Sequence, residues 1–93
     1  MWPFTKSRLA QPEEIPEAID ALAEKLRQAH FVVEADRFHY LVHAFAATTS
    51  GELYGELHLA LKTLDHEHRA LPREIANEIR RLIKSIERIS RSR

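Results

Sequence analysis

The chain has 93 residues, 44% of them hydrophobic and 30% charged, with no cysteine, two glycines, four prolines and a formal net charge of zero. That length makes one small domain, and the balance of apolar and charged residues excludes a chain that stays disordered throughout. The missing cysteines exclude a disulfide scaffold, a thiolate metal site and a cysteine nucleophile, and so few turn residues argue against an all-β fold.

Zero net charge hides an asymmetry. Met1 to His68 holds six Lys/Arg against eleven Asp/Glu, a balance of −5, whereas Arg69 to Arg93 holds eight against three, a balance of +5. Opposite blocks of this kind attract within a fold or between copies of it.

Residues 1–11, MWPFTKSRLAQ, have no period and read as an extended N-terminal arm, with Trp2 and Phe4 beside Lys6 and Arg8. Exposed aromatics find cover, here either on the domain's own surface or in a partner's groove. The first four residues are too short an apolar stretch for a signal-peptide core. No later run approaches the ~20 apolar residues of a membrane-spanning helix.

Residues 12–93 are expected to form a single helical bundle domain. Pro12 and Pro16 suit first-turn positions, and Glu13, Glu14 and Glu17 favour the positive end of a helix dipole. Ile15, Ile19, Leu22, Leu26, Ala29 and Val33 follow at spacings of 4, 3, 4, 3 and 4, a heptad-like seam that predicts a first helix over about Pro16–His30. Its exit carries no Gly or Pro, only the β-branched pair Val32-Val33 after Phe31, so a tight turn and a near-continuous helix are both compatible with it.

The second helix is expected over Glu34–Ala47, with Phe38, Leu41, Val42 and Phe45 on one face. Thr48-Thr49-Ser50-Gly51 is the clearest break, and Thr49 with Glu52 three residues later reads as a capping box. The third helix, Ser50–His66, carries Leu53, Leu57, Ala60, Leu61 and Leu64. Gly55 inside it costs roughly 1 kcal/mol relative to alanine and marks either a close backbone approach or a tolerated residue. Leu71-Pro72 opens the fourth helix, which runs to about Ser90 on Ile75, Ile79, Leu82, Ile86 and Ile89, with Ile83 broadening the seam. The fold class is therefore all-α, a small antiparallel bundle of about four helices, with helices 1 and 4 packed as neighbours or against copies of themselves.

Three constellations bear on function. At 100° per residue, Arg73, Arg80, Arg81, Lys84, Arg88 and Arg91 share an arc of about 100° opposite the isoleucine seam, a stripe that could track phosphates or simply face water. His39 and His43, four apart, project from one helix face and suit a transition metal, with His58 as a further candidate ligand, although half-buried edge histidines are the commoner case. Asp65-x-x-His68 only approximates the Glu-x-x-His motif of dinuclear carboxylate bundles. Glu52 and Glu56 share a face as well, but glutamates in the first turns of a helix are ordinary dipole partners.

No phosphate loop, nucleophile elbow or H-E-x-x-H motif occurs, so no catalytic residue and no cofactor are expected. The chain is expected to be a cytoplasmic protein-interaction module without enzymatic activity. Homodimerisation would bury one apolar seam against its symmetry mate and pair the two charge blocks. Nucleic-acid association through the fourth helix ranks second, and a histidine-based metal-binding bundle ranks third.

Overall fold

Gln11 closes the arm. Its backbone N–H donates to Glu14 Oε1 at 2.8 Å, and the Glu14 N–H donates back to the Gln11 carbonyl at 2.9 Å, winding Pro12–Glu14 into a 3-10 turn. Four helices follow in this computed structural model, which describes residues 9–45, 50–67 and 70–91: α1 (Ile15–Gln28), α2 (Val32–His43), α3 (Ser50–Glu67) and α4 (Arg73–Arg91). The described residues contain no strand, so the all-α bundle inferred from periodicity is the fold.

The unmarked exit of α1 is a tight turn. His30 adopts φ 73°, the Phe31 N–H reaches back to the Leu26 carbonyl at 2.8 Å, and the His30 N–H reaches the Arg27 carbonyl at 3.0 Å. Those paired 6→1 and 5→2 bonds are a Schellman motif, with histidine at the left-handed position that glycine usually fills. Phe31 packs on the core, the hydrophobic contact that accompanies this motif. Val32 and Val33 then start α2, where no preceding turn crowds their branched side chains, and both stay exposed.

α2 ends at His43, four residues before the expected Ala47. The Ala44 and Phe45 N–H groups share the Tyr40 carbonyl at 2.8 Å each, and Phe45 leaves the helix to lie against the core. The Thr49 cap falls outside the described residues. Gly55 is exposed, and among the described residues a Cβ there would meet nothing within 4 Å, so no described backbone approaches it and the glycine is simply tolerated. The carbonyl of Pro72 accepts the first helical bond of α4, from Ala76 at 2.9 Å.

Ion pairs record the antiparallel register. Arg27 pairs with Asp36 at 3.0 Å and Asp20 with His43 at 2.9 Å, so α2 runs back along α1. Asp65 with Arg80 (3.3 Å) and His58 with Glu87 (2.9 Å) mark the same for α3 and α4. The α1–α2 and α3–α4 hairpins pack together through α1–α4 and α2–α3 contacts, so helices 1 and 4 are neighbours within one chain.

Both seams lie in this shared core. Ile15, Ile19, Leu22 and Leu26 of α1 and Ile75, Ile79, Leu82 and Ile86 of α4 are all buried in one cluster with Phe38 of α2 and Leu57, Leu61 and Leu64 of α3. Among the described residues one polar side chain joins them. Ser85 is fully buried, accepts the Ala10 N–H at 2.9 Å and donates to the Arg81 carbonyl at 2.8 Å, which pins the last residues of the arm to α4.

Candidate functional site

Burying Ile75, Ile79, Leu82 and Ile86 turns the opposite face of α4 to solvent, because side chains about 180° away on the helix cannot reach the core. Arg73, Arg80, Lys84, Arg88 and Arg91 are all exposed there, with Asn77 in the same row. From Arg73 to Arg91 the row spans ~27 Å, and the four-residue steps from Arg80 to Lys84 to Arg88 are ~6 Å each. Arg81 does not belong to it. Its guanidinium is half-buried and turns back one turn to Glu78, with Nε–Oε1 at 3.1 Å and Nη2–Oε2 at 2.7 Å.

The acids of α4 point off the row. Glu74 pairs with Lys25 of α1 at 3.1 Å, Glu78 holds Arg81, and Glu87 takes His58 of α3. The hydrogen bond from His58 holds the Glu87 carboxyl below the usual glutamate range, helped by the charges of His58, Lys62 and Arg91 and opposed by partial desolvation. His58 and Glu87 line a shallow groove of ≈ 430 Å³ with Tyr54, Gly55 and Ile86. Within the row, Arg80 leans on Asp65 at 3.3 Å.

The second constellation lies between α1 and α2. His39 and His43 are both exposed, their ring centroids 4.5 Å apart and tilted by 37°. Asp20 of α1 faces them, both carboxylate oxygens 2.9 Å from His43 Nε2. One donor atom from each of Asp20, His39 and His43 lies within 4.8 Å of the others, and among the described residues this is the one such group. His58, bound to Glu87 on the other hairpin, does not join them, nor does Asp65, bound to Arg80. Sequence reasoning pairs the two histidines but misses Asp20, which sits at the edge of the α1 seam with nothing in its local spacing to mark it.

Trp2 and Phe4 lie outside the described residues. The bundle does hold the end of the arm, through buried Ala10 and its bond to Ser85. No helix among the described residues is long and apolar enough to cross a membrane. Comparison with protein-family models, with curated proteins and with solved structures found no match.

Proposed function

We propose that the chain is a binding module that docks an extended polyanion, the backbone of a nucleic acid, along the outer face of α4. One observation carries this: five exposed cations run the length of α4 while its three glutamates are engaged off that line. A linear array of this kind neutralises successive phosphates and releases their counterions, which is the sequence-independent part of nucleic-acid affinity.

Homodimerisation loses its main physical motive. Both apolar seams are interior, and the exposed large apolar residues Val32, Val33, Tyr40 and Leu59 are spread over α2 and α3. Scattered residues of that kind are ordinary surface. Glu13 in the 3-10 turn and Glu17 and Glu24 on α1, all exposed, repel a polyanion and so favour an approach over α4. The cysteine-free composition suits a reducing compartment such as the cytoplasm, and the module acts by binding, without catalysis.

The test is fluorescence anisotropy with labelled single- and double-stranded DNA of mixed sequence across a salt series. Five phosphate contacts give a log–log slope of about −4.5, a loss of roughly 500-fold in affinity between about 50 and 200 mM salt. Lys84→Gln with Arg88→Gln should flatten the slope by about 2 and leave the fold intact, because exposed charges contribute little to stability. Absence of binding, or a slope that the double change leaves alone, refutes the proposal. A dimer broken by the same double change would assign the row to self-assembly instead.

A further inference from the structure

The geometry points to a site for a divalent transition-metal ion at the open end of the α1–α2 hairpin, held by Asp20, His39 and His43. Two imidazoles and one carboxylate form the donor set that binds first-row ions such as Zn²⁺, Co²⁺ or Ni²⁺ while leaving coordination positions to water. With no thiolate in the chain, imidazoles are its softest common donors.

The distances suit an inserted ion. Metal–nitrogen and metal–oxygen bonds of ~2.1 Å set adjacent donors ~3.0 Å apart around an octahedral ion and ~3.4 Å apart around a tetrahedral one. His43 Nε2 and each Asp20 oxygen are already 2.9 Å apart. His39 completes the set from one turn earlier on α2, and its donor atom falls inside the same 4.8 Å span. Its ring is exposed and not packed into the core, so a rotation about the side-chain torsions brings it up to the ion without disturbing the bundle. The carboxylate and the His43 ring are roughly half exposed, at 41% and 48%, which leaves room for coordinated water.

The rival account is a plain Asp20–His43 ion pair, and His39 separates the two. Its ring stacks near His43, while both short contacts to Asp20 come from His43 alone. An ion pair therefore survives loss of His39, whereas a metal site loses one of its two imidazoles. Calcium and magnesium are excluded by the same chemistry, since both prefer sets made wholly of oxygen. A bound ion would cross-link α1 to α2 at the end of the hairpin opposite the His30 turn.

The test titrates the intact chain with Zn²⁺ by calorimetry and with Co²⁺ by visible absorption, with Mg²⁺ as control. We expect one ion per chain, a ligand-field band with Co²⁺ and no response to Mg²⁺. Free Zn²⁺ at a hundred times its dissociation constant should raise the melting midpoint by roughly 10–20 °C. Asp20→Asn and His39→Asn should each weaken binding at least about tenfold. His39→Asn should do so with an unchanged melting midpoint in the absence of metal, so it decides the question even if Asp20→Asn compromises folding. No one-to-one binding up to millimolar Zn²⁺, or binding that persists undiminished in His39→Asn, overturns the site.

Discussion

Replacing His30 by glycine should stabilise the chain, and the argument rests on one backbone angle. Among the described residues His30 is the one non-glycine residue with positive φ, at 73°. An L-residue held in the left-handed region carries a penalty of roughly 1–2 kcal/mol, from its Cβ against the following carbonyl. Glycine removes that penalty but gives the unfolded chain more freedom, an opposing effect of about 0.4–1 kcal/mol. Because His30 is exposed, no core packing is lost with its ring. The net gain is about 0.5–1 kcal/mol, equivalent to a rise of roughly 2–8 °C in melting midpoint for a domain of this size. Urea unfolding followed by circular dichroism should show a higher midpoint at unchanged slope, which marks a change in stability without a change in compactness. His30→Ala is the control, since alanine keeps its Cβ and with it the strain. A lower midpoint for glycine, or equal gains for glycine and alanine, would refute the left-handed assignment and with it the Schellman turn.

Two further outcomes are expected. Ser85→Ala leaves the buried Ala10 N–H without its acceptor and should cost about 1–3 kcal/mol in urea unfolding; an unchanged midpoint would mean that the arm is not pinned to α4. Glu87 has a folded pKa below its unfolded value, so its stabilising effect is complete above the usual glutamate range and is lost as pH falls through the folded pKa. Melting midpoints taken from about pH 6 to pH 3 should therefore fall more steeply for the wild type than for Glu87→Gln, and parallel curves would show that the His58 bond contributes nothing.

What the sequence revealed was local. The isoleucine spacing of α4 fixes its buried face, and the same 100° step fixes the opposite row of cations, so both could be read from nineteen consecutive residues. Periodicity places Arg81 in the same arc, but its side chain turns to Glu78, three residues earlier, a local pair that helical spacing also makes visible. The turn at His30 carried no Gly or Asn signal, and only the observed backbone shows that histidine takes the left-handed position. Asp20, His58 with Glu87, and Ser85 with Ala10 meet partners 23, 29 and 75 residues away. Such meetings follow from hairpin register, which helical periodicity does not encode.

The interior also restricts where function can lie. Among the described residues all four helices commit apolar side chains to one core, and the exposed large apolar residues are Val32, Val33, Tyr40 and Leu59, so both proposed sites rest on polar side chains placed by that core. Two placements stand out, the cation row on α4 and the Asp20–His39–His43 group between α1 and α2, and they share no residue. On these proposals the row would act through long-range charge that salt screens, whereas the histidine group would act through short directed bonds that salt leaves largely intact. Their substitutions should therefore add without coupling: Lys84→Gln with Arg88→Gln leaves Zn²⁺ affinity alone, and His39→Asn leaves the salt slope of DNA binding alone. Were Zn²⁺ to change DNA affinity, linkage would require DNA to change Zn²⁺ affinity by the same factor. α1 would be the element to carry it, since it holds Asp20 on the side facing α2 and packs against α4 on the other.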